Sequence, residues 1–267
     1  MARRIRVSGR LAVLAAAAVA VAGLTSAGFG GAAQAAPTAP ELTITLVRHA
    51  ESEGNASGLI DTKTPGPDLT ELGRTQAQQN AILLAGNRYD GVFASRMVRT
   101  QQTARPLAQK LFRPVVVEPG FHEILAGDYE GQPEATAQMN YFQAPTQWMR
   151  GNLDARIPGA EDGHEFKKRF NDSLAAVVRT GVQNPVIFSH GGTIMTWSIM
   201  TATNAAEYAG KLAAGEHLRN VGRVVLKGNP TTGWRIVEWV AKPALPELPA
   251  GPDCGLGSVG TGSLAAC

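Results

Sequence analysis

The sequence predicts an α/β protein, a three-layer sandwich with helices on both faces of a mostly parallel, mixed central sheet. Two observations predict it. Short β-branched runs alternate with longer segments of helical period, as in a sheet wound with crossover helices. Two histidine-bearing polar segments also stand where such runs end, the edge at which open α/β sheets bind ligands.

The elements follow in order. Leu42-Thr43-Ile44-Thr45-Leu46-Val47 alternates and β-branches as a buried strand. After a polar loop, Leu69 to Gly73 begins a helix whose Ala77, Ala81 and Leu84 share a face, with Asp68 or Thr70 to cap it and Gly86-Asn87 to end it. Gly91 to Ala94 is a second buried strand, Ser95 is placed to cap a helix from Met97 to Lys110, and Pro114 to Val117 is a third strand.

Residues 120–158 have weak periodicity and scattered Gly and Pro, and read as an inserted lid. Its aromatics Tyr129, Tyr141, Phe142 and Trp148 look exposed; with Arg150 and Arg156 they are available to a substrate, or to packing of the lid onto the sheet. Beyond Glu161, Phe166, Phe170, Leu174, Val177 and Val178 mark a long amphipathic helix closed by Gly181. A strand from Pro185 to Phe188, a helix over about 193–203, and two antiparallel strands over 222–227 and 234–240 complete a domain spanning 36–240. No internal repeat interrupts it.

The first 35 residues read as a signal peptide: Arg3, Arg4, Arg6 and Arg10, an apolar stretch from Leu11 to Leu24, then Ala33-Gln34-Ala35 before Ala36-Pro37. The apolar part is short for a stable membrane span, so export to the cell envelope or beyond is expected, with no membrane insertion once the signal is removed. Removing four arginines and no acids takes the formal charge from +3 to −1. The basic balance therefore belongs to the signal and gives no reason to expect nucleic acid or anionic membrane as a partner. Cys254 and Cys267 lie in a Pro/Gly-rich tail, residues 241–267, outside any catalytic pattern; in an oxidising compartment they are able to pair.

The chemistry lies in Arg48-His49, with Ser52 and Asn55 behind it, and in Ser189-His190-Gly191-Gly192-Thr193. A pocket holding Arg48, His49, Arg99 and His190 is strongly cationic, and its guanidinium forks match phosphate oxygens. A dianionic phosphoryl group is its natural guest, with His49 able to attack phosphorus. The leaving alkoxide needs a proton from the opposite side. Glu123 is the best candidate, because it follows a strand and opens the lid, though Glu130 and Glu161-Asp162 compete with it. The five histidines lack metal-ligand spacing, and a cation beside two arginines is electrostatically adverse, so no metal or other cofactor is expected.

These motifs, in this order, resemble the histidine phosphatase superfamily, in the branch that includes the cofactor-dependent phosphoglycerate mutases. Arg48-His49 with Ser52 and Asn55, Leu69-Thr70 through Gln76-Ala77, Ser95 through Arg99 to Gln102-Thr103, Glu123 through Glu130-Gly131, and Ser189 to Thr193 match its successive motifs over roughly residues 42–240. The resemblance implies a phosphoglycerate mutase-like fold and a phosphorylated His49. It implies a phosphoryl group held by Arg48, Arg99 and His190, with Asn55 and the Gly191 amide adding contacts and Glu123 as acid and then base. His122, His164 and His217 match no motif position.

The expected activity is hydrolysis of small-molecule or lipid-linked phosphomonoesters through a phosphohistidine. The alternatives are a mutase or a non-catalytic phosphate-binding protein. Against a mutase, Ala126 stands where the mutases carry a tyrosine, and the lid has no adjacent arginine pair. Against a mere binder, the set of nucleophile, arginines, second histidine and acid is intact.

Overall fold

The computed structural model describes residues 40–249; the segment read as a signal peptide and both cysteines lie outside the described residues. Strands are β1 (Leu42–Arg48), β2 (Gly91–Ala94), β3 (Val115–Val117), β4 (Pro185–Ser189), β5 (Arg223–Asn229) and β6 (Gly233–Val240). They form one sheet in the order β3-β2-β4-β1-β5-β6. β3, β2, β4 and β1 are mutually parallel, β5 is antiparallel to β1, and β6 to β5. Among the described strands β5 alone runs against the rest, as expected for a mostly parallel mixed sheet. β2 and β4 are buried at every residue because they lie inside the sheet with helices on both faces, whereas β3 is a half-exposed edge.

The helices are α1 (Glu53–Ser57), α2 (Glu71–Leu84), α3 (Val98–Lys110), α4 (Gln143–Met149), α5 (Gly163–Arg179), α6 (Gly191–Thr201) and α7 (Ala205–Ala213). Thr70, not Asp68, caps α2 by accepting from the Gly73 amide. Gly73 is required there, since a Cβ would stand 1.9 Å from the Glu51 carbonyl oxygen. Asp162 and Glu165 form a capping box on α5. Ser95 does not cap α3, whose first residue is preceded by Met97; it is completely buried behind the sheet edge instead. The sequence reading passed over α1 and α7. α7 carries a short apolar stripe of Ala205, Tyr208 and Leu212, none of them fully buried, and the sequence reading ran from α6 directly to the last strands.

The segment between β3 and α5 is anchored in the main core. Tyr141 is 4% and Trp148 1% exposed, which corrects the expectation of exposed aromatics. Trp148 stacks on Phe166 at 5.4 Å and donates Nε1 to the Ala155 carbonyl at 2.6 Å. Phe166 and Phe170, one turn apart on α5, carry the core on to Phe121 and Trp197. Burying Trp148 alone removes enough apolar surface to hold this cap on the sheet, on the order of a few kcal/mol. The first tail residues also pack: Pro243 is buried, and Leu245 lies against Ala50, Leu69, Ala77 and Val221. Among the described residues no helix is long and apolar enough to cross a membrane.

Candidate active site

Strand register brings the two histidines together. β1 and β4 pair in parallel with Arg48 opposite Ser189, and the His49 amide donates to the Ser189 carbonyl at 3.0 Å. The next residue on each strand is a histidine, and the two ring centroids lie 5.1 Å apart, edge to face. β2 borders β4 on its other side and leads through Ser95 to Arg99, one turn into α3. Three strands thus deliver their polar ends to one carboxyl edge.

His49 is 3% exposed. Its Nδ1 lies 2.7 Å from the Ala50 carbonyl oxygen, which can only accept, so Nδ1 carries the proton and Nε2 keeps its lone pair. Burial, then the charges of Arg99 and Arg48, hold its pKa well below the ordinary histidine value. The ring is neutral at neutral pH, the state a nucleophile requires. Arg99 Nε donates to that Nε2 at 3.1 Å. His190, completely buried behind His49, meets Ser95 Oγ through Nε2 at 2.9 Å, while its Nδ1 is buried without a hydrogen-bond partner. Burial and then Arg99 hold its pKa down as well.

Arg48 Nη1 donates to the Leu218 carbonyl at 2.6 Å, and Arg99 Nη2 to the Asp61 carbonyl at 3.1 Å. Asp61 Oδ1 stands 4.0 Å from Arg99 Nη1. Arg48 Nε and Arg99 Nη1 are buried without hydrogen-bond partners. Such donors are costly to bury unless an acceptor meets them, and a phosphoryl group has three oxygens to offer. Burial lowers the pKa of both arginines while Glu123 raises it; both remain charged. Arg99 is 3% exposed, unlike the exposed Arg96 and Arg105 beside it on the sequence.

Glu123 follows the turn after β3 and lodges its carboxylate in the first turn of α6. Oε1 accepts from the amides of Ile124 at 2.9 Å and Thr193 at 2.8 Å and from Thr193 Oγ1 at 3.0 Å, and Oε2 from the Gly192 amide at 3.2 Å. A Cβ on Gly192 would meet Oε1 at 2.9 Å, and one on Gly191 would meet Arg48 Cδ at 3.3 Å. The two glycines thus let an acid and a guanidinium approach one helix start closely. The competitors lie elsewhere: Glu130 accepts from Thr62, and Glu161 pairs with Arg169.

Arg48, His49, Asn55, Arg99, Glu123 and Gly191 line one cleft of about 510 Å³. Asn55 Oδ1 is engaged by the Ser52 amide at 3.3 Å and Asn220 Nδ2 at 3.0 Å, so its own amide donors are left for the cleft. Of the cap residues singled out in the sequence, Tyr141, Phe142 and Arg150 line the cleft. Arg156 is taken by Asp162 and Glu165 instead. The sequence reading missed Asp61 and Asn220 as neighbours of these side chains, since a lone polar residue in a loop carries no periodic signal; Thr193 it named only as part of the second-histidine motif. Among the described residues no three His, Cys, Asp or Glu converge as ligands for a metal ion.

Comparison with known proteins agrees with this geometry. The family model of the histidine phosphatase superfamily (branch 1) matches residues 44–241. The chain is 36% identical over 218 residues to the PE-PGRS family protein PE_PGRS11 of Mycobacterium tuberculosis, covering 77% of this chain and 37% of that protein. It therefore spans little more than a third of that relative's length. A provisionally named phosphoserine phosphatase 2 of Hydrogenobacter thermophilus is 31% identical over 149 residues, 56% of this chain and 73% of the relative. The fold matches that of a mycobacterial glucosyl-3-phosphoglycerate phosphatase with a TM-score of 0.59 at 22% identity, over 76% of this chain and all of that structure.

Proposed function

The chain belongs to the histidine phosphatase superfamily, branch 1, and we propose that it hydrolyses phosphomonoesters through a phosphohistidine on His49. One observation carries the reading: a neutral, buried imidazole whose Nε2 lone pair lies against Arg99, in one cleft with Arg48 and Glu123.

A phosphoryl group entering the cleft offers Arg99 a charged acceptor stronger than an imidazole nitrogen, which releases Nε2 for attack. Arg48 and Arg99 surround the equatorial oxygens, and the buried, unpartnered Nδ1 of His190, which does not line the empty cleft, would meet one of them once the phosphoryl group seats beside His49. Nε2 forms the bond to phosphorus as the ester P–O bond breaks, and Glu123 gives its proton to the departing alcohol. Water then attacks the phosphohistidine, Glu123 takes up its proton, and phosphate leaves with His49 restored. Residues 1–35 would export the protein, so its substrates would be met outside the cytoplasm. A mutase reading has less support: Ala126, where the mutases carry tyrosine, is completely buried and offers the cleft nothing.

The test is phosphate release by residues 36–267 from a panel of phosphomonoesters without added metal. His49→Ala abolishes turnover and leaves the far-UV circular dichroism unchanged. Glu123→Gln slows esters of poor leaving groups far more than p-nitrophenyl phosphate, whose leaving group needs little protonation. Equal losses on both esters would remove Glu123 from the acid's role.

A further inference from the structure

The cleft has a second half that the phosphoryl chemistry does not use. Three helices each turn one stripe into it. On α6, Met195 and Ile199 continue the line that starts at Gly192, at spacings of three and four. On α4, Phe142 at the cap and Met149 stand two turns apart on one side. On α7, Leu212 and Ala213 face the same space. Thr146 and Thr196 are the polar side chains these helices add to the cleft, and no charged residue lies on any of the three stripes. The charged lining residues outside the phosphoryl end, Glu134, Arg150 and Arg219, are exposed and come from the connecting segments.

We infer that the alcohol half of the substrate is a hydrocarbon chain, so that the enzyme takes alkyl or alkenyl monophosphates in preference to sugar or polyol phosphates. The inference rests on the phosphomonoesterase reading and names its substrate class. The groove is continuous with the phosphoryl end, so whatever is esterified to a phosphate held by Arg48 and Arg99 must extend along it or out through the mouth. A sugar placed there would bury several hydroxyls against Met149, Met195, Ile199 and Leu212, with two threonines on those helices and Gln138 and His217 elsewhere in the lining to meet them, and each unpaired hydroxyl is unfavourable. A methylene chain would replace water on the same walls and gain with every carbon. α7 explains why the site is built this way. Its Tyr208 packs on Trp239 and the main core, while Ala209, Leu212 and Ala213 turn an apolar edge to the cleft.

The experiment is a series of straight-chain monophosphates from methyl to octyl, kept below micelle-forming concentrations. It is run beside glycerol and glucose phosphates and p-nitrophenyl phosphate, with His49→Ala as the control for each. The expected result is a rise in kcat/KM of about fourfold per methylene over the first several carbons. Glycerol and glucose phosphates should stay near methyl phosphate, and the Leu212→Gln variant should show a shallower chain-length slope. A flat series, or a polyol ester that outpaces an alkyl ester of equal size, overturns the inference while His49-dependent turnover of p-nitrophenyl phosphate keeps the phosphomonoesterase reading. An unchanged slope in Leu212→Gln also overturns it, because the chain would then lie elsewhere. No His49-dependent release from any ester overturns both.

Discussion

Arg169 is the residue whose removal tests most directly how the Glu123 segment is held. On α5 its guanidinium makes a bidentate pair with Glu161, Nε to Oε2 at 2.7 Å and Nη2 to Oε1 at 2.8 Å. It also donates to the carbonyls of Gly120 at 2.6 Å, His122 at 3.0 Å and Glu123 at 3.3 Å. Side-chain exposure is 16% for Arg169 and 8% for Glu161, so this is a buried pair. Arg169→Ala leaves a buried carboxylate without its cation and the Gly120 carbonyl without its side-chain donor, while the His122 and Glu123 carbonyls keep Thr193 Oγ1 and the His122 ring, and it costs about 3–5 kcal/mol. With a urea m-value of about 2–3 kcal/mol/M, the unfolding midpoint should fall by about 1–2 M. The double variant Arg169→Met with Glu161→Gln removes both charges and should recover much of that loss, since replacing a buried pair together costs far less than breaking it. Both variants should lower kcat, because the carbonyl clamp on the Glu123 segment is gone in each. A loss under about 1 kcal/mol for Arg169→Ala, the scale of an exposed pair, would refute the reasoning.

Burial depresses the pKa of His49, His190 and His122, the last to about 3, so all three stay neutral in the fold where the unfolded chain takes up protons. Stability is therefore whole above the ordinary histidine value and falls below it, by about 2 kcal/mol for His122 between pH 7 and pH 5. Urea titrations at those two pH values check the slope, and His122→Gln should reduce it. Trp148→Ala, which empties the centre of the cap, should cost about 3–5 kcal/mol in thermal or urea unfolding. Met139→Ala, in the same segment but 75% exposed, should change stability by less than about 0.5 kcal/mol. Gly192→Ala places a methyl 2.9 Å from Glu123 Oε1 and should lower kcat on the order of tenfold through displacement of the carboxylate. The loss should be larger for esters of poor leaving groups; an unchanged enzyme would mean that Glu123 need not stand where it does.

Much of the fold was legible because periodicity is a local property. Leu42 to Val47 could only be a buried strand, and the stripe from Phe166 to Val177 only an amphipathic helix, whatever surrounded them. α7 was passed over because it is short and buries no residue fully, with Ala209, Leu212 and Ala213 facing a cleft rather than a core. The cap aromatics were misread for a related reason: in a segment of short turns neither period sorts inside from outside, and burial comes from α5 and α6 packing over it.

By itself the sequence determined the alternation of strands and helices, the order of the motifs, and the residue types available at each strand end. Those follow from side-chain chemistry and spacing along one chain. Tertiary structure decided the rest. The register of β1 on β4 set His49 beside His190, and the Ala50 carbonyl assigned the proton to Nδ1. Burial turned Arg99 from one helix arginine of two into a desolvated donor, and turned Ser95 from a presumed cap into the partner of His190. Protonation and desolvation depend on groups 50 to 170 positions away in the chain, such as Arg99 on His49 or Leu218 on Arg48, and only folding brings those together, whereas the His49 tautomer is set by the carbonyl of the very next residue once the ring is turned onto it.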